Sequence, residues 1–248
     1  MFKNNNQPIV ILVRPQMGRN IGSSIRAMVN CGLTHLRLVS PRDGWPDQEA
    51  IDLSSGGMNH MTEIEVFDTL EDALADCHYV LGTTARRRDM VKDVYTAKSA
   101  AEKIKANLSE KSKTALLFGP ERTGLLNDDI AHCHGVITIP LNPDFSSLNL
   151  AQAVLLVAYE WSQARDDDII KSHEYLTGDS YPAEQKDVQD FLERLMSEID
   201  DGNFFRNSDV RPHMERNITN LFTRARPTDQ EIKTLHGIVS ALIGKKKA

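Results

Sequence analysis

Up to about Ala164 the chain repeats one alternation, in which a short run of Val, Ile and Leu is followed by an amphipathic stretch and then another run. The runs are "PIVILV" from Pro8, "HLRLVS" from His35, "EIEVF" from Glu63, "YVLGTT" from Tyr79, "TALLFG" from Thr114 and "VITIPL" from Val136. Successive side chains of a strand point to opposite faces, so a run apolar at odd and even positions alike leaves no face for water. Such strands are expected inside a parallel sheet covered on both sides. Between them lie helix patterns such as "IGSSIRAMVNCG", ended by Gly32, and "TLEDALADC", opened by Thr69 with Asp72 three residues on. A side-chain cap at the start and a glycine past the end are the expected helix boundaries. The expectation is an α/β fold, a doubly wound and mostly parallel sheet, over residues 1–165.

Two further segments follow. Residues 166–184 are acidic, interrupted by Gly178 and Pro182, and read as a linker. Residues 185–248 read as a small all-helical extension. "EQKDVQDFLERLMSEID" has helical periodicity, "RPHMERNITNLFTRA" places Pro212 in a first turn, and "TDQEIKTLHGIVSALIG" opens with Thr228 and Glu231 and stops at Gly244. The net charge of −6 hides an asymmetry. From Arg165 to Gly202 there are 4 basic and 12 acidic residues, whereas from Asn203 to Ala248 there are 9 basic and 4 acidic. A basic tail behind an acidic connector suits a nucleic-acid partner, and a solvated surface with chance clustering suits it as well. There is no run of eighteen apolar residues for a membrane span and no signal-peptide pattern in "MFKNNNQPIVILV", so a cytoplasmic protein is expected. Cys31, Cys77 and Cys133 are far apart and odd in number, as small buried hydrophobes of a reducing compartment would be.

In open parallel sheets, ligands bind beyond the carboxyl ends of the strands. The residues there are "RPQMGRNIGSSIRAM", "GTTARRR", "FGPERTGL" and "PLNPDFSSLNLAQAV", all rich in Gly, Thr, Asn, Ser and Arg. Common nucleotide motifs fail at these places. No strand is followed by G-x-G-x-x-G, and "GPERTGLL" has Leu125 and Leu126 where a P-loop needs Lys and Ser/Thr. "HCH" at 132–134 lacks a second ligand pair at metal spacing, so no metal site is expected, and no G-x-S-x-G elbow exists. One helix poses its own question: "SSLNLAQAVLLVAYEW" is almost wholly apolar yet begins with Ser146, Ser147 and Asn149. The polar head is either a cap or part of a site.

Together these loops resemble the signature blocks of the SPOUT methyltransferases, in particular the TrmH/TrmJ branch that methylates ribose 2′-hydroxyls in RNA. The blocks are "NIGSSIRA" with Asn20 and Arg26, "LLFGPERTGL" with Gly119, Glu121 and Gly124, and "IPLNPDFSSLNLAQAV" with Ser147 and Asn149. "GTTARRR" and the tail "RNITNLFTRARPTDQEIKTLHGIV" are similar to the TrmJ type, and the likeness runs from about Gln7 to Gly244. Arg19 departs from the pattern, since related sequences often carry glycine before the Asn.

The resemblance implies a C-terminal trefoil knot in the sheet domain and a homodimer with its active sites at the interface. It implies S-adenosylmethionine bound by Thr83, Thr84, Ala85, Phe118, Gly119, Pro120, Glu121, Ile137, Ile139, Pro140, Ser147, Leu148 and Asn149. The catalytic set would be Arg26, Asn20, Ser147, Asn149 and Glu121. The implied substrate is tRNA, at cytidine or uridine 32 of the anticodon loop, with Arg14, Arg19, Arg86, Arg87, Arg88, Arg224 and Arg226 as RNA contacts. A ribose hydroxyl must lose a proton as it attacks. A guanidinium with a pKa above about 12 is a poor base, so Arg26 either acts with an RNA phosphate or holds that phosphate while another group takes the proton. Taken singly, each residue has a plainer reading: Asn20 and Ser147 as caps, Arg26 as a surface arginine, "ARRR" as a solvated charge run. Methylation of rRNA, a non-catalytic RNA-binding protein and a Rossmann-like nucleotide enzyme are the alternatives.

Overall fold

The computed structural model describes residues 7–86, 90–109, 112–145, 147–165, 180–205 and 210–246. Seven strands form one sheet: β1 (Ile9–Val13), β2 (His35–Val39), β3 (Glu63–Phe67), β4 (Tyr79–Thr83), β5 (Asp93–Tyr95), β6 (Thr114–Phe118) and β7 (Gly135–Ile137). Their spatial order is β3-β2-β1-β6-β4-β7-β5, and every pairing is parallel. The helices between them are α1 (Gly18–Asn30), α2 (Gln48–Leu53), α3 (Leu70–Leu74), α4 (Ala97–Asn107), α5 (Asn127–Ala131) and α6 (Leu150–Arg165), with a 3-10 turn at Gly57–His60.

The continuous apolar runs divide between two cores by strand alternation. In β1, Val10 and Leu12 face a core shared with α1, α4 and α6, which contribute Ile25, Ile104, Val154 and Trp161. Ile9, Ile11 and Val13 face a second core with Leu74 of α3 and Ile130 of α5. Each such side chain, removed wholly from water, contributes about 1.5–3 kcal/mol, which is why the sheet centre tolerates no polar face. Helix α1 lies close against α2. A Cβ on Gly22 would stand 2.2 Å from the carbonyl oxygen of Ala50, so only glycine permits that approach.

Burial on both faces fails at the sheet edges. β3 is half-open, with Val66 48% exposed, because among the described residues no strand lies beyond it and its outer face is only partly covered. "VITIPL" contributes only its first residues to β7, and the three-residue edge strand β5 was not expected from the sequence. Gly32 follows α1 with φ +75°, and the Thr69 hydroxyl accepts from the Asp72 amide, both as the pattern implies.

The tail forms α7 (Gln185–Asp201), α8 (Arg211–Ala225) and α9 (Asp229–Lys246). Thr228 and Glu231 exchange hydrogen bonds in a capping box, and α9 continues past Gly244 to Lys246. Phe191 fixes this unit, meeting Phe222 and His236 edge-on at 5.0 and 5.3 Å. Its first turn docks on the sheet domain through Gln185 N–H to Cys77 carbonyl and Lys186 N–H to Ala75 carbonyl, each 2.9 Å.

Candidate active site

The loops after β4, β6 and β7 surround a cavity of about 280 Å³. Cofactor-sized clefts start near that size. The loop after β6 is folded tightly on itself. A Cβ at Gly119 would lie 2.1 Å from the Leu125 nitrogen, Gly124 has φ +66°, and the Gly124 amide donates to the Pro120 carbonyl at 2.8 Å. Only glycine fits at 119, and the turn it permits carries Glu121.

Glu121 begins a polar chain whose direction is fixed by its charge. One carboxylate oxygen accepts the Gln16 amide at 2.9 Å, and the other accepts the Asn20 side-chain NH₂ at 2.6 Å. An ionised carboxylate only accepts, so the Asn20 amide must turn its nitrogen to Glu121 and its oxygen away. That oxygen accepts the Asn149 NH₂ at 2.9 Å. Asn149 is thereby left with its own oxygen facing α6, where it accepts the Ala151 amide at 2.9 Å. Three loops are thus joined by one carboxylate. The polar head of α6 is a cap and a site contact at once.

The cavity has an apolar wall of Phe118, Ile137, Ile139, Leu141, Leu148, Leu150 and Ala153, and polar groups from Thr83, Thr84, Glu121, Thr123 and Ser147. The Thr83 hydroxyl donates to the Leu117 carbonyl at 3.0 Å and the Thr84 amide to the Ile137 carbonyl at 3.0 Å, which holds the β4 loop against its neighbours. Among the described residues no lysine lines the cavity, and the cations that do are Arg86 and Arg122. An apolar wall, loop backbone and one carboxylate suit an adenosine carrying a positively charged sulfur.

Most of the expected cofactor residues line this cavity, Ala85, Gly119 and Pro120 among them. Pro140 and Asn149 do not. Pro140 is exposed beyond the end of β7, and Asn149 is turned toward Asn20. Not anticipated were Arg122, Thr123, Leu125, Leu141 and Ala153. Leu150 and Ala153 stand three apart on α6, a spacing that puts both on one face and that the sequence offers openly.

Of the five expected catalytic residues, Asn20, Glu121 and Asn149 are in direct contact and Ser147 lines the cavity. Arg26 stands apart from these four: it is exposed on α1, donates to the Ser55 hydroxyl at 3.1 Å and does not line the cavity of its own chain. It lies six residues from Asn20, which at 3.6 residues per turn points it to another side of the helix.

The expected RNA-contacting arginines also separate. Arg14 pairs with Asp129 at 2.5 Å, Arg19 reaches the Met17 sulfur at 3.0 Å, and Arg226 pairs with Asp93 at 3.1 Å while lying over the Tyr79 ring at 4.7 Å. Arg86 is at the cavity and Arg224 is exposed on α8, whereas Arg87 and Arg88 lie outside the described residues. The histidines of "HCH" take different partners. His132 meets Glu71 at 3.2 Å, and buried His134 accepts the Val80 amide at 3.0 Å. Burial pushes the Cys77 and Cys133 thiols up to about 12, which makes both unreactive, and lowers Lys92, hydrogen-bonded to the Ala131 and Cys133 carbonyls, to about 8.

The chain is similar to known proteins. Residues 7–159 match the SpoU rRNA Methylase family. The tRNA (cytidine/uridine-2′-O-)-methyltransferase TrmJ of Photorhabdus laumondii is 37% identical over 233 residues, covering 94% of this chain and 95% of that protein. The enzyme of the same name from Citrobacter koseri is 36% identical over 96% of this chain and 97% of its own length. The crystal structure of TrmJ from Z. mobilis is 42% identical and superposes with a TM-score of 0.85, covering 95% of this chain and 99% of that one. With the sheet, the glycine-bound Glu121 turn and the Asn20–Asn149 bridge all inside the matched span, the chain belongs to the SpoU methylase family.

Proposed function

We propose that this chain is an S-adenosylmethionine-dependent methyltransferase acting on the ribose 2′-hydroxyl of a cytidine or uridine in tRNA, at nucleotide 32 of the anticodon loop. The observation that carries the reading is the Glu121–Asn20–Asn149 bridge beside the cavity, in a chain that spans nearly the whole length of TrmJ relatives. When bound, S-adenosylmethionine supplies an electrophilic methyl group without a metal. Phe118, Ile137, Ile139 and Leu148 form the apolar wall for its adenosine, and the backbone of the Gly119–Gly124 turn comes close enough for direct contact. Glu121, fixed by two donors, keeps Asn20 and Asn149 in one orientation, so the cavity is shaped before substrate arrives. Arg26 holds the phosphate beside the reacting hydroxyl.

Arg26 stands outside its own chain's cavity, which supports reading the enzyme as a homodimer with sites at the interface. The outer face of α6, with Leu155, Leu156 and Tyr159 exposed, supports the same reading. The strand order supports a trefoil knot: β7 enters between β4 and β5, both earlier in the chain, and α6 follows directly. We assign residues 1–165 to the methyltransferase domain, 166–184 to a linker and 185–248 to a helical extension that helps to bind tRNA, in the cytoplasm. No helix among the described residues is long and apolar enough to cross a membrane.

Transfer of labelled methyl from S-adenosylmethionine to an unmodified tRNA transcript tests the reading, with Arg26→Ala alongside. The expected result is label in the tRNA, lost in Arg26→Ala while cofactor binding persists. The family's own description keeps rRNA as a second reading, and label in rRNA with none in tRNA would decide for it. Binding and transfer both absent would reduce the likeness to one of fold.

A further inference from the structure

We infer that Arg122 and Phe145, with Arg86, form the rim that grips the target nucleotide, Arg122 by a phosphate and Phe145 by stacking on a base; the inference rests on the RNA methylation proposed above. Among the described residues only Arg86, Arg122 and Arg224 have guanidinium groups without a partner, and two of these three line the same cavity. The chain has 35 acidic side chains against 29 basic ones, so an arginine left unpaired has not lacked for carboxylates. Glu121 beside Arg122 is not paired with it; its carboxylate is turned to Gln16 and Asn20.

Phe145 is 71% exposed, in the loop that runs from cavity-lining Leu141 to cavity-lining Ser147. Its backbone is held in place: the Phe145 amide donates to the Asn142 carbonyl at 3.0 Å and the Asp144 amide to the Asn142 side-chain oxygen at 3.0 Å. A phenyl ring kept in water by an ordered turn forgoes its burial energy. Single-stranded RNA loops are recognised by stacking their splayed bases on aromatic rings while arginines take the phosphates. Two free guanidiniums lining the cavity and one free ring on the loop between cavity-lining Leu141 and Ser147 match that chemistry, and a purely apolar ligand would leave the arginines unused.

The test is binding of a fluorescent anticodon stem-loop RNA by anisotropy across a salt series, with Arg122→Ala, Phe145→Ala and Phe145→Trp as full-length variants. Removing Arg122 is expected to weaken binding and to make the slope of log affinity against log salt shallower by about 1. Phe145→Ala is expected to weaken binding about tenfold with the slope unchanged, and Phe145→Trp to restore it. S-adenosylmethionine affinity, read by calorimetry, should stay as in the wild type in Phe145→Ala. Unchanged RNA affinity in Arg122→Ala and Phe145→Ala would overturn the inference, as would loss of cofactor binding or of the oligomer as the primary effect. A wild type that binds the RNA through these residues yet transfers no methyl would refute the reaction and leave the rim standing.

Discussion

At the cavity mouth Arg86 and Arg122 face water, while at the junction of sheet and tail Arg226 lies over Tyr79 and pairs with Asp93. Both places bring arginine to the sheet, but the second is closed: Tyr79 and His134 are buried beside it, and the Arg226 side chain is only 24% exposed. Arg226 is held in the left-handed region at φ +51° as the C-cap of α8, so backbone and side chain fasten the tail together. Arginine counts alone therefore do not locate an RNA surface. What matters is whether the fold already supplies each guanidinium with an anion or a ring.

The largest effect is expected at Glu121, the only carboxylate among the described residues that line the cavity. In Glu121→Ala the Asn20 amide and the Gln16 N–H lose their acceptor, and methyl transfer should fall about hundredfold, as for a displaced catalytic geometry. Steady-state kinetics with a folded variant, checked by circular dichroism, reads this, and an unchanged rate would detach the bridge from catalysis. The opposite site predicts an opposite phenotype. Arg226→Ala should lower stability by about 1–2 kcal/mol through the lost cation–π and ion-pair contacts. Its tRNA affinity should be unchanged; a shallower salt slope instead would return Arg226 to the RNA surface.

A smaller effect sharpens the picture of the closed junction. Burial lowers His134 from an ordinary 6.5 to about 3. The unfolded chain therefore takes up a proton below pH 6.5 that the folded chain refuses until about pH 3. The contribution of neutral His134 is full above pH 6.5 and is lost as pH falls toward 3. His134→Gln, whose side-chain oxygen keeps an acceptor for the Val80 amide, should unfold more readily at pH 7 but show a flatter stability profile between pH 6 and 4. An unaltered profile would mean that the acid sensitivity comes from elsewhere, Glu71 beside His132 being the next group to examine.

How far the sequence leads can be seen residue by residue. Apolar residues at both parities of a run identify β1 and β6, because only a central strand has two dry faces. β5 has three residues, two of them exposed, so it carries no such signature. Asn20, Glu121 and Asn149 were legible only as a joint pattern of three blocks. Their contacts span 101 and 129 residues, beyond any local periodicity. Arg14 and Arg226 looked like RNA contacts for the same reason, since their anionic partners lie 115 and 133 residues away. Arg122 was passed over because Gly and Glu dominate the "GPERTG" turn, and only the cavity reveals that the whole turn faces it.

The most direct test of the account is to locate the methyl group. An unmodified tRNA transcript treated with the enzyme and labelled S-adenosylmethionine would be digested to fragments and nucleosides and read by mass spectrometry. The account predicts a single 2′-O-methylated cytidine or uridine at nucleotide 32. A methyl on a base, or on a ribose outside the anticodon loop, would contradict it.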